Sequence, residues 1–261
     1  MTHNSVASPP SDKPAPSSDD TPCPPPTDTF GLAAIGHEWR TGLSTILGMA
    51  ELLQNADDLQ KARRQAAVIH ESALAMRVIL DDMLEYSHLA HGTARPKPEP
   101  FFPADFLAEL YDACSIQARA AGCDFLTTLP SNLPERLVGD GLHASQAIER
   151  LLALTLKLSQ RGEIHADFLF APLKANASLL RGTLHTSGCL LNENQCKALF
   201  KPMRPHSGEL PKIPVPSGFG PAIAKGWIRL LGGSLRVRCT HGHMAKLIIE
   251  IPFAQFTTFA K

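Results

Sequence analysis

The stretch His37-Glu38-Trp39-Arg40-Thr41-Gly42-Leu43-Ser44-Thr45-Ile46-Leu47-Gly48-Met49-Ala50-Glu51-Leu52-Leu53 decides the fold. Leu32, Trp39, Ile46 and Leu53 fall seven residues apart, and Gly36, Leu43 and Ala50 repeat at the same interval between them. Steps that alternate between four and three residues make a coiled-coil seam, so a long amphipathic helix is expected from Phe30. The pattern breaks at Gln54-Asn55-Ala56-Asp57, where Asp57 or Asp58 can cap a new helix. The second helix repeats the seam at Ala62, Ala66, Ile69, Ala73, Met76, Leu80 and Met83. It runs out near His91-Gly92, ahead of prolines at 96, 98 and 100. Two long helices joined by a tight turn make a helical hairpin. One hairpin buries only part of its seams, whereas two pair into a four-helix bundle, so a homodimer is expected. Trp39, like Trp227 further on, sits on a seam and is expected in the core.

On this helix His37 falls beside the seam, on the flank facing solvent. Glu38 adjoins it, and Thr41 lies one turn later on the same face. A carboxylate that accepts the proton of one imidazole nitrogen orients the ring and makes the other nitrogen more basic, which suits a nucleophile. A hydroxyl four residues on can position a water near whatever the imidazole touches.

These residues resemble the phosphoacceptor box of bacterial sensor histidine kinases. The family pattern is His-Glu-x-Arg-Thr-Pro-Leu-x-x-Ile-x-Gly, and His37 to Gly48 match every fixed position except the proline, which is Gly42 here. A proline bends a helix, whereas glycine permits a bend without enforcing it. The resemblance implies that His37 is the phosphoacceptor and Glu38 its general base. Thr41 is implied to orient water when a bound response regulator is dephosphorylated. Leu84-Glu85-Tyr86-Ser87 resembles the end of the second dimerisation helix, and Phe101 to Leu110 the entry to a second domain.

The chain after Pro103 is mixed. Helices are expected at 104–121, 142–159, 192–200 and 221–231, the last stopping at Gly232-Gly233. Strands are expected at 124–129, 136–139, 163–170, 179–185, 234–240 and 246–251, with a loop at Ala171–Ala177. Residues 201–216 carry five prolines and are expected to form an irregular loop. The fold class is therefore α+β: a helical hairpin forming a dimeric four-helix bundle, then an α/β sandwich resembling the histidine kinase ATPase domain. Residues 30–95 are the expected dimerisation and phosphoacceptor domain, and residues 101–256 the expected ATPase-type domain.

That second resemblance is degenerate. The family helix that holds Mg²⁺ reads Asn-Leu-Leu-x-Asn-Ala-x-Lys-Phe; here it is Arg150-Leu151-Leu152-Ala153-Leu154-Thr155-Leu156-Lys157-Leu158. Leu154 has no oxygen for a hard cation, while Lys157 is retained. The adenine-reading Asp-x-Gly-x-Gly falls at Thr186-Ser187-Gly188-Cys189-Leu190, where Thr186 offers a weaker contact than a carboxylate. The last glycine box falls at Gly218-Phe219-Gly220-Pro221-Ala222-Ile223. Gly218 and Gly220 before a helix N-terminus could cradle phosphate, or form a structural turn ahead of Pro221. If nucleotide binds, Lys157, Gly218 and Gly220 are the expected contacts.

Composition narrows the function further. The chain has 261 residues, with 25 Lys plus Arg balancing 25 Asp plus Glu. Such a balance gives no overall attraction for nucleic acid or anionic membrane. No apolar run approaches the ~18 residues of a membrane span, and no secretory signal is seen, so a cytoplasmic protein is expected. Residues 1–29, rich in Pro, Ser, Thr and Asp, are expected to be a disordered tail. The six cysteines are scattered without a CxxC pair, which argues against a zinc ribbon or disulfide scaffold and for a reducing compartment. His70, His88 and His91 lack metal spacing and read as surface residues; no metal site is expected. Arg229, Arg236 and Arg238 read as solvated. The reading is a phosphorelay protein passing phosphoryl groups through His37 to or from response regulator receiver domains, with no cofactor. The alternatives are an ATP- and Mg²⁺-dependent histidine kinase with a divergent pocket, and a non-catalytic adaptor that docks regulators.

Overall fold

The computed structural model describes residues 29–256, except 129, 131, 160–161, 175, 188, 190, 201–217 and 241–243. The expected tail (but for Thr29) and the proline-rich loop therefore lie outside the described residues.

Two helices open the fold, α1 (Thr29–Gln54) and α2 (Leu59–Ala90). The turn between them ends at Asp58, whose side chain accepts the Gln60 amide and caps α2. At Gly42 the two helices lie close together. A Cβ there would lie 2.9 Å from Met76 Cγ, so the thioether of α2 occupies the space a side chain on α1 would need. On the single protomer Trp39 is 37% and Leu43 49% exposed. Trp39 thus departs from its expected core position: a lone hairpin has no second layer to cover that face.

The rest of the chain is a mixed sheet with helices against it. Strand β1 (Glu99–Phe101) precedes α3 (Pro103–Ala120), then come β2 (Asp124–Leu126), β3 (Leu137–Gly139) and α4 (Gly141–Leu158). The hairpin β4 (Glu163–Lys174) and β5 (Ala177–Ser187) leads to α5 (Glu193–Ala198). Helix α6 (Gly220–Leu230) and the hairpin β6 (Ser234–Thr240) and β7 (Met244–Gln255) complete the order. The sheet runs β1-β3-β7-β5-β4-β2, with β6 also on β7, and its pairs are antiparallel except β2 with β4.

Strands β5 and β7 alternate buried and half-buried residues, as expected of a sheet with one covered face. Leu180, Leu184, Ile249 and Ile251 from that face meet Leu107, Leu110, Ile148, Leu151, Ile223 and Ile228 of α3, α4 and α6 in one core. Strand β4 runs through Lys174, into the span expected as a loop, because its pairing with β5 shifts register between Pro172 and Lys174 and continues. The three-residue β1 lay hidden in a proline-rich stretch; it pairs with β3 at the edge of the described sheet.

Candidate functional site

His37, Glu38 and Thr41 lie on the uninterrupted helix α1, His37 and Thr41 one turn apart and so on one face. The side chains of His37 and Glu38 are outside the described residues. Thr41 is exposed, and Arg40, Thr41, Ser44 and Thr45 line a shallow depression on the helix. The Thr45 hydroxyl donates to the Thr41 carbonyl at 2.9 Å, a back-bond of the kind that slightly bends a helix.

The positions that the resemblance assigned to nucleotide are spread over α4, β5 and the start of α6. Leu154 is buried in the core. Thr186 is fully buried, and its hydroxyl donates to the Glu163 carbonyl of β4 at 2.9 Å. The hydroxyl expected as a weak adenine contact thus donates its proton within the sheet. Lys157 is half-buried in the last turn of α4, and burial lowers the pKa of its amine. Gly218 starts the turn before α6 and Gly220 is the first residue of that helix. Among the described residues no side chain caps α6, and a Cβ on Gly220 would meet none of them within 4 Å. Between them Phe219 is buried, its ring 5.2 Å from Tyr86 on α2.

Arg150 does something the sequence did not announce. Its Nη1 donates to Asp82 and its Nη2 to Glu85, each at 2.5 Å, so α4 is paired with α2 of the hairpin. Glu85 also accepts the Trp227 indole N–H at 2.6 Å. The Trp227 ring stacks on His143 at 3.7 Å, and His143 Nδ1 lies 2.7 Å from Asp140. Asp140 caps α4 through the His143 amide and accepts the Lys97 amide of the interdomain linker at 2.7 Å. Burial pushes the Asp140 carboxyl up, but those two amides and the His143 ring outweigh it and hold it below the usual aspartate range. A Cβ on Gly226 would meet Leu89 at 3.1 Å, so glycine there lets α6 lie close against α2. Linker, α2, α4 and α6 are thus joined by one continuous set of contacts. Asp82 and Glu85 carried no signal in the sequence beyond being acidic residues three apart on a helix.

Residues 32–92 match the family described as His Kinase A (phospho-acceptor) domain. That span is the α1–α2 hairpin together with His37, Glu38 and Thr41. The α1–α2 hairpin is thus similar to a His Kinase A phospho-acceptor domain. Likeness to histidine kinases continues beyond this span. The sensor histidine kinase GacS of Pseudomonas protegens is 26% identical over 220 residues, covering 84% of this chain and 24% of that protein. The peroxide stress-activated histidine kinase mak2 of Schizosaccharomyces pombe is 27% identical over 236 residues, 87% of this chain and 10% of that one. The chain therefore spans a quarter or less of these relatives. Among solved structures, full-length ShkA in complex with AMPPNP aligns at a TM-score of 0.61 and 20% identity, covering 87% of this chain and 46% of that one. The Acinetobacter baumannii histidine kinase AdeS aligns at 0.55 and 15% identity, covering 82% and 96%. These structural matches concern the fold: a helical hairpin followed by a histidine-kinase-type α/β domain.

Proposed function

We propose that this chain is a dimeric phosphotransfer protein that exchanges phosphoryl groups between His37 and receiver-domain aspartates without using ATP. The observation that carries this reading is the engagement of Arg150. It stands where the family has a magnesium-helix asparagine, and it is paired with Asp82 and Glu85 on the hairpin. Leu154 and Thr186 support the same reading: Leu154 has no oxygen for a cation, and Thr186 is a fully buried neutral hydroxyl where the family has a carboxylate. On this reading these residues do not fit ATP–Mg²⁺.

In the proposed step a ring nitrogen of His37 attacks the phosphorus of an aspartyl phosphate. The nitrogen–phosphorus bond forms as the bond to the aspartate oxygen breaks, and the carboxylate leaves. Glu38 takes the proton released from the other ring nitrogen. The reverse sequence delivers the group to a second receiver. Phosphorylation of a partner thus needs only the exposed flank of α1, while the second domain holds the hairpin in place.

The alternative of an ATP-dependent histidine kinase draws on the half-buried Lys157 and the uncapped start of α6 at Gly220. Incubation with labelled ATP–Mg²⁺, and separately with a labelled phospho-receiver domain, distinguishes the readings. The expected result is label on His37 from the receiver alone and none in His37→Ala. Label from ATP alone would promote the kinase reading; label from neither would leave a docking adaptor.

A further inference from the structure

Three cysteines from three segments converge in the second domain. Cys189 follows the end of β5, Cys196 belongs to α5 and Cys239 to β6. All three are buried, and their sulfur atoms lie within 4.8 Å of one another. Cys196 and Cys239 are joined as a disulfide across 43 residues of sequence. The sequence-based expectation of no disulfide is corrected here, because packing of α5 on β6 unites residues that spacing could not link. Cys189 is a free thiol 3.8 Å from the Leu191 carbonyl. Among the described residues no histidine or carboxylate brings a fourth ligand atom within the same reach.

We propose that the reduced form of this cluster binds one Cu(I) ion through Cys189, Cys196 and Cys239. Thiolates select soft cations, and three buried sulfurs within 4.8 Å of one another suit a monovalent ion that accepts trigonal coordination. Hard cations need oxygen ligands, and structural zinc takes four ligands.

The chemistry balances in two stages. A thiol reductant passes two electrons and two protons to the Cys196–Cys239 disulfide, giving two thiols while the reductant becomes a disulfide. Cu(I) then replaces the three thiol protons, which leave to solvent, and the metal keeps its oxidation state. A small-molecule disulfide, by reoxidising Cys196 and Cys239, would expel the ion. The site is independent of the phosphotransfer reading.

The test uses the full chain, reduced and desalted without oxygen, and titrated with Cu(I) against a chromophoric Cu(I) chelator. One ion per protomer is expected for reduced wild type and for Cys123→Ser. Unreduced protein and Cys189→Ser should bind more than ~10-fold more weakly. Circular dichroism checks that each variant folds. Alkylation followed by mass spectrometry on the wild type covers a variant that does not fold: Cu(I) should protect Cys189, Cys196 and Cys239 while Cys123 still reacts. Failure of reduced, folded wild type to compete with the chelator overturns the proposal. Undiminished binding by folded Cys189→Ser, tighter binding of Zn(II) than Cu(I), or alkylation of the three cysteines in the presence of Cu(I) does so equally.

Discussion

Thr41 faces solvent on α1 beside Ser44 and Thr45, one turn from His37. Replacing it with alanine removes one hydroxyl and favours the helix slightly. Transfer of label from a phospho-receiver to His37 should therefore persist in Thr41→Ala. Hydrolysis of the receiver's aspartyl phosphate, which needs an oriented water, should slow. The decay of labelled receiver in the presence of each variant measures both. Loss of His37 labelling with hydrolysis intact would refute the assignment. Gly42 belongs to the same scale. Its place in the phosphoacceptor pattern was legible at once, but its packing reason was not. Met76 fills the space next to it from thirty-four positions away on the other helix. Thr186 carries the same lesson, since its loss of a carboxylate was visible in the sequence and its bond to Glu163 was not.

At the scale of elements, the hairpin helices α1 and α2 were readable because their heptads repeat over many turns and Asp58 supplies a clear start. Helices α4 and α6 were likewise found within a residue of their ends. What joins α2 to α4 and α6 was not readable. Arg150, Asp82 and Glu85 lie 65 and 68 residues apart, and only the docking of the second domain brings them together. Arg150→Ala should destabilise this junction by about 2–3 kcal/mol. That is less than the cost of breaking a fully buried pair, because the Arg150 side chain stays 26% exposed. Urea unfolding gives the total, and hydrogen exchange should show faster opening along the C-terminal half of α2. A stability equal to wild type would mean that Trp227 and Phe219 hold the junction without the ion pairs.

At the scale of the molecule, Leu43, Leu47, Val78 and Leu84 stand exposed on the hairpin of one protomer. A second hairpin packed on this one would cover such side chains, in keeping with the dimer expected of a His Kinase A domain. A charge at a position exposed in the protomer spares its own fold, so Leu43→Asp should yield a folded monomer by light scattering while wild type remains dimeric. A monomeric wild type would remove the bundle. The sheet gives a prediction of another kind. His185 of β5 stacks on His165 of β4 at 4.4 Å. Burial, then His165 and Lys246, lower its pKa below 6.5, against the opposing pull of Asp167 and Glu163. The unfolded chain thus binds this proton more readily than the folded one. The contribution of His185 is whole above pH 6.5 and is lost as the pH falls through the lower folded value. His185→Gln should flatten that fall in denaturant titrations taken on either side of pH 6.5. An unchanged slope would place the proton uptake elsewhere.

The sequence alone determined the hairpin, the phosphoacceptor box and the α+β order, because helix periodicity, caps and strand alternation act between residues a few positions apart. The extension of β4 past Pro172 depended on its partner β5. The disulfide depended on α5 meeting β6, and the set of contacts from Lys97 to Asp82 on the second domain lying against α2. Those contacts join residues whose pairing carries no local mark, so only the packed chain could decide them.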